Sequence, residues 1–214
     1  MRFLCKMNIV VITDDQLKEE LLAQQVEPGL LLSYCSEIPL EKKADYYIDL
    51  LFDNDPDRIR KLAALKPALI VVNAVASTNE ALPPDFIRIN AWPGFLKRAV
   101  VEASSSDTLL RSEAERLFAC FGKKIEWLPG HTPGFVTPRV ISMIINEAYY
   151  TLEENVSTKE EIDTAMKLGT NYPYGPFAWS RLIGLRNVYA LLKQLTIDPR
   201  YTLSSLLEKE ALQS

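Results

Sequence analysis

The sequence predicts an α/β domain over residues 1–129 followed by an all-helical domain over 130–214. Three observations carry this. The first half alternates short β-branched runs with amphipathic segments, the pattern of a mostly parallel sheet flanked by helices. Two turn formers, Pro129 and Gly130, stand where that alternation stops. Beyond them, apolar residues recur at helical spacing almost without interruption from Pro133 to Leu195.

In chain order, Met7 to Thr13 (MNIVVIT) reads as a buried parallel strand and Gln16 to Gln25 as a helix. Leu30 to Tyr34 and Tyr46 to Phe52 are the second and third strands, and no helix is read between them. Asp57 to Leu65 is a helix, and Ala68 to Val75 (ALIVVNAV) is the most strand-like run of the chain. Phe86 to Asn90 and Ala99 to Ala103 are further strands. Asp107 to Phe121 is a helix with Leu109, Leu110, Ala114, Leu117 and Phe118 inward, and Ile125 to Leu128 closes the sheet.

In the second half, Ile141, Ile144, Ile145, Ala148 and Leu152 give one helix its buried face. Val140, Met143 and Tyr150 make the other side apolar, so this helix is expected to be covered nearly all round and to favour self-association. Ser157 with Glu160 forms a capping box for the next helix, whose inner face is Ile162, Ala165 and Met166 and whose stop is Gly169. Gly175-Pro176 opens a third helix that runs through Leu182, Ile183, Leu185, Val188, Leu191, Leu192 and Leu195.

The composition excludes several classes of function. A net charge of -4 leaves no basic footprint for nucleic acid. Cys5, Cys35 and Cys120 are odd in number and widely spaced, and His131 is the only histidine, so neither a disulfide framework nor a metal site is expected. No apolar run reaches the ~18 residues of a membrane span. The start at Met1 lacks the long apolar region of a signal peptide, so a soluble, cytoplasmic protein is expected.

The words PGFVxxR, INEA, IDTAMKLGTNYPYGPFAW and IGL, in that order, resemble the C-terminal helical domain of 3-hydroxyacyl-CoA dehydrogenases. The resemblance implies that the first half is a shortened Rossmann domain. It also implies NAD as cofactor, an acyl-CoA-like substrate in fatty-acid metabolism, and a homodimer through the helical domain.

Three parts that the resemblance calls for are replaced. The glycine-rich turn after the first strand, which lets pyrophosphate approach a helix N-terminus, is Thr13-Asp14-Asp15-Gln16, and no glycine occurs before Gly29. Asp14 or Asp15 is instead expected to cap the helix. Alignment on Glu102, which fits the family's base-orienting carboxylate, puts Asn90 in place of the family's histidine base. An amide orients a hydroxyl but accepts no proton near neutral pH. Pro138 stands in place of a substrate-holding asparagine, followed by the matching Arg139. Asn73, Ser77 and Thr78 are substitutes for a serine-containing substrate turn, with Asn73, Ser77 and Arg139 the candidate substrate contacts.

His131 reads as an exposed turn residue and Tyr174, Phe177 and Trp179 as packing; Arg181 and Arg186 read as solvated cations, with pairing to acidic groups across a dimer or to the phosphates of CoA as the alternatives. The sequence reading is a family member that has lost NAD-dependent oxidation and serves as a ligand-binding or partner protein. Its alternative is an active oxidoreductase with a rearranged site built on Glu102.

Overall fold

The computed structural model describes residues 7–39 and 43–213; Cys5 lies outside them. The chain forms two compact units, Met1–Thr132 and Pro133–Ser214.

The first unit is a seven-stranded sheet built from β1 (Asn8–Ile12), β2 (Leu31–Cys35), β3 (Tyr46–Asp49), β4 (Leu69–Asn73), β5 (Phe86–Ile89), β6 (Val100–Ser104) and β7 (Lys124–Trp127). Its order is β2-β1-β3-β4-β5-β6-β7, and the pairs are parallel except β5 with β6. Alternate residues of each strand enter opposite layers. Ile9, Val11, Ile48, Val71 and Ile87 pack beneath α1 (Asp15–Leu21) and α3 (Arg111–Ala119). Val10, Ile12, Tyr47, Ile70 and Val72 pack with Leu62 of α2 (Pro56–Ala63). Strands buried on both faces need continuous apolar runs, which is why the sequence makes them visible.

The described residues between β2 and β3 contain no helix, and a single 3-10 turn, Asn79–Ala81, lies between β4 and β5. Leu109 departs from its expected inward position. It is 85% exposed, because Asp107 caps a 3-10 turn at Thr108–Leu110 before α3 begins.

The second unit contains α4 (Val136–Glu153), α5 (Lys159–Thr170), α6 (Pro176–Ile183), α7 (Leu185–Leu195) and α8 (Ser205–Gln213). Several details differ from the sequence reading. The capping box is Thr158 with Glu161, one residue along, with the Ser157 hydroxyl also donating to Glu161. Helix α5 continues past Gly169 and ends at Asn171, whose left-handed φ of 57° an asparagine tolerates. Of its predicted inner face, Ile162 is buried but Ala165 is exposed. The third predicted helix is two, broken at Gly184 (φ 88°). Helix α4 is not covered all round within this chain, since Val136 and Val140 are 57% and 52% exposed.

Long-range polar contacts complete this unit. Asp163 of α5 accepts from the amides of Phe177 (2.7 Å) and Ala178 (3.0 Å), capping α6 from a distance. Gly175 permits the approach, because a Cβ there would lie 2.3 Å from the Asp163 carboxylate. Buried Asn146 donates to Thr202 O and accepts from Ser204 N, pinning the turn before α8.

Candidate functional site

Strand order reverses at β1, and the crevice at the carboxyl ends of β1 and β3 is where doubly wound sheets take nucleotides. The main chain there is occupied by its own bonds. Thr13 N donates to Cys35 O at 2.8 Å, and Leu50 N donates to Ile12 O at 2.9 Å. Asp14 caps α1, its carboxylate accepting from Leu17 N at 2.8 Å, and Asp15 adds a second negative charge in the first turn. A pyrophosphate needs those amides and the positive end of the helix. With a carboxylate already on the amide and no glycine in the turn, the residues present do not fit a conventionally bound dinucleotide.

The sequence reading missed Asp49, at the end of β3. It is fully buried, and Arg58 of α2 donates to both of its oxygens at 2.7 Å. Burial pushes the carboxyl above its usual range, and the guanidinium pulls it back. A third carboxylate thus stands at the switch point, neutralised by the chain itself. An arginine nine residues on from an aspartate carries no local pattern that reveals the pair.

Farther across the sheet, Asn90 and Glu102 meet. Asn90 N donates to Glu102 O at 2.9 Å, and its side-chain Nδ2 donates to Glu102 Oε2 at 2.9 Å. Asn90 Oδ1 accepts from Trp92 N at 3.3 Å. Asn73 sits beside them. Its Oδ1 accepts from Ala91 N at 3.0 Å, and its Nδ2 donates to Leu50 O and Ala91 O. It therefore ties the ends of β3, β4 and β5 together through main-chain atoms. The proton-accepting capacity of this group lies in Glu102 alone, because amides offer none.

Ser77 and Thr78 lie just before the 3-10 turn, which a buried Arg88 secures by donating to Ala74 O, Asn79 Oδ1 and Gly130 O, each at 3.2 Å. Burial pushes the Arg88 guanidinium down to about 10. The neighbouring His131 is exposed, as read.

Pro138 and Arg139 belong to the helical unit. Pro138 is buried in the first turn of α4, where its missing N–H breaks no helical bond. Arg139 donates to the Tyr201 hydroxyl, with its guanidinium 5.3 Å from that ring. Arg181 pairs with Asp163 at 3.5 Å, while Arg186 is exposed. Phe177 and Trp179 are buried, and Tyr174 meets Trp179 edge-on at 4.9 Å. Among the described residues there is no cluster fit for a metal ion, and no helix is long and apolar enough to cross a membrane.

A doubly wound sheet unit followed by a five-helix unit is the arrangement of a dinucleotide-fold dehydrogenase. Comparison with known proteins narrows the class. Residues 134–213 match the family model described as 3-hydroxyacyl-CoA dehydrogenase, C-terminal domain. The 3-hydroxybutyryl-CoA dehydrogenase of Clostridioides difficile is 34% identical over 154 residues, covering 69% of this chain and 54% of that protein. The 3-hydroxyadipyl-CoA dehydrogenase of Escherichia coli K12 is 45% identical over 83 residues, covering 37% of this chain and 18% of that one. Among solved structures, the (S)-3-hydroxybutyryl-CoA dehydrogenase of Ralstonia eutropha superposes with a TM-score of 0.70 at 20% identity, covering 95% of this chain and 93% of that chain. FadB2 of M. tuberculosis gives 0.73 at 15% identity over the same shares. At those identities the structures establish the fold. Residues 134–213 thus carry the C-terminal domain of the 3-hydroxyacyl-CoA dehydrogenase family, and the chain spans about half the length of the 3-hydroxybutyryl-CoA dehydrogenases that it matches in sequence.

Proposed function

We propose that this chain is a family member that has given up NAD-dependent oxidation and works as a cytoplasmic ligand-binding or partner protein. The observation that carries the reading is the Asp14 carboxylate on the Leu17 amide, which puts an anion where a pyrophosphate would need a donor. Two further replacements support it. Asn90 hydrogen-bonds to Glu102 but cannot take the proton of a 3-hydroxyl. Pro138 has no side-chain donor for a thioester carbonyl or hydroxyl. The retained ligand is an acyl-CoA-like molecule, by analogy with the relatives. The assembly is a homodimer through the helical unit, supported by Val136 and Val140 one turn apart on an exposed face of α4.

The test joins a turnover assay, with 3-hydroxybutyryl-CoA and NAD, to a calorimetric titration with an acyl-CoA. Heat of binding without turnover supports the reading. Turnover near an ordinary kcat, ~1–1000 per second, overturns it.

One observation favours a second reading. Glu102 is half-buried and fixed by Asn90, so an oxidoreductase with a rearranged site would use that carboxylate as its base. Loss of any measured turnover in Glu102→Gln would select this reading over the first.

A further inference from the structure

The loop between β5 and β6, residues 90–99, has no regular structure, and α1 with the turn that follows it holds it down. Glu20 Oε1 accepts from Gly94 N at 2.7 Å, and Gln24 Nε2 donates to Lys97 O at 2.8 Å. Beneath the loop lies Lys123, only 2% exposed, in the turn between α3 and β7. Its ammonium donates to Leu96 O at 2.6 Å, to Arg98 O at 3.1 Å and to Glu20 O at 3.4 Å. All three donors are used, two on the loop and one on α1. Gly122 makes the position possible, since its φ is 66° and a Cβ would lie 2.7 Å from Gln25 O.

The electrostatics of this knot are uneven. Its acceptors are neutral carbonyls, and Glu20, the carboxylate that acts on it through space, has Oε2 buried and without a hydrogen-bond partner. Arg98 turns its guanidinium over the Phe95 ring at 5.1 Å. From the end of α3 comes the Cys120 thiol, whose Sγ is engaged with Arg116 O, and the next residue of β7, Lys124, is exposed. Burial pushes the Lys123 amine down to about 8, with Glu20 opposing.

We propose that Lys123 is the pin of a proton-linked clasp, which fixes the β5–β6 loop on α1 and couples loop opening to proton uptake in mild base. The loop runs directly from Asn90 toward Glu102, so the clasp makes α1 a support of that pair. The sign follows from linkage. Opening returns the amine to water, where it titrates near ~10.4. Between about 8 and that value the open state binds a proton that the closed state lacks, so raising the pH favours the closed loop. Below about 8 both states are protonated and opening no longer depends on pH.

Amide hydrogen exchange at pH 7.5 and 9.5, corrected for intrinsic chemistry, tests this directly. In the wild-type chain the opening constant of amides 94–99 should fall on the order of tenfold, while β1 and β4 amides hold steady. In Lys123→Met the loop should lose that dependence. A wild-type loop whose opening is independent of pH overturns the clasp, as does an equal pH slope in Lys123→Met. The wild-type series stands alone if the variant fails to fold.

Discussion

Asn90 and Glu102 face each other across the antiparallel β5–β6 pair, joined by a main-chain bond and by a side-chain bond, each of 2.9 Å. The pairing is a donor–acceptor contact without a titratable base on the Asn90 side. Asn90→His puts an imidazole beside the carboxylate, as the family pattern has it. The proposed account predicts that this change alone gives no NAD-dependent oxidation, because the turn after β1 still carries Asp14 and Asp15. Stopped-flow and end-point assays with 3-hydroxybutyryl-CoA check it, and turnover from the single variant would place the block at Asn90 alone.

Asp14 contributes a helix cap, so Asp14→Ala should lower stability by about 1 kcal/mol. Urea unfolding gives the difference as a shift in midpoint with an unchanged slope. An effect near zero would mean that the carboxylate is not seated on Leu17 N in solution.

The Asp49–Arg58 pair is asymmetric in burial, with side-chain exposures of 0% and 19%. Removing the cation strands a buried carboxylate, so Arg58→Ala should cost about 3 kcal/mol near neutral pH. The loss should shrink as the pH falls and Asp49 is protonated, because a neutral carboxyl needs no counter-charge. A loss independent of pH would show that only packing was removed.

Gly175→Ala forces a methyl group against Asp163 and should unseat the cap of α6. The expected cost is about 1–3 kcal/mol, the range for overpacking. Asp163→Asn should cost less, since an amide oxygen still accepts one of the two amides. Thermal unfolding of both variants gives the order, and the reverse order would contradict the contact.

Much of the fold was legible because its signals are local. The β1 and β4 runs, NIVVI and LIVVN, are apolar on both faces, and only a buried parallel strand asks for that. Where two local signals compete, the reading slipped by one residue. Ser157 and Thr158 are both good caps, and the choice fell to Thr158 because its backbone places Glu161 in the third helical position. Gly184 was passed over because the apolar positions stay in phase across it, so periodicity cannot register the break between α6 and α7. The site was legible in part. Alignment on Glu102 through the family resemblance singled out Asn90, and the structure joins the two across the antiparallel β5–β6 strands, a pairing that the sequence reading did not derive. Asp49 with Arg58, Lys123 with the 90–99 loop and Asp163 with Gly175 are fixed by tertiary packing, which single residues in a sequence do not announce.

The central claim is that the carboxylates after β1 exclude a dinucleotide. Titration with NADH, followed by nicotinamide fluorescence, measures this most directly. The account predicts no saturable change up to millimolar NADH in the wild-type chain. Saturable binding at micromolar affinity would contradict it, and would return the protein to the NAD-dependent enzymes of its family.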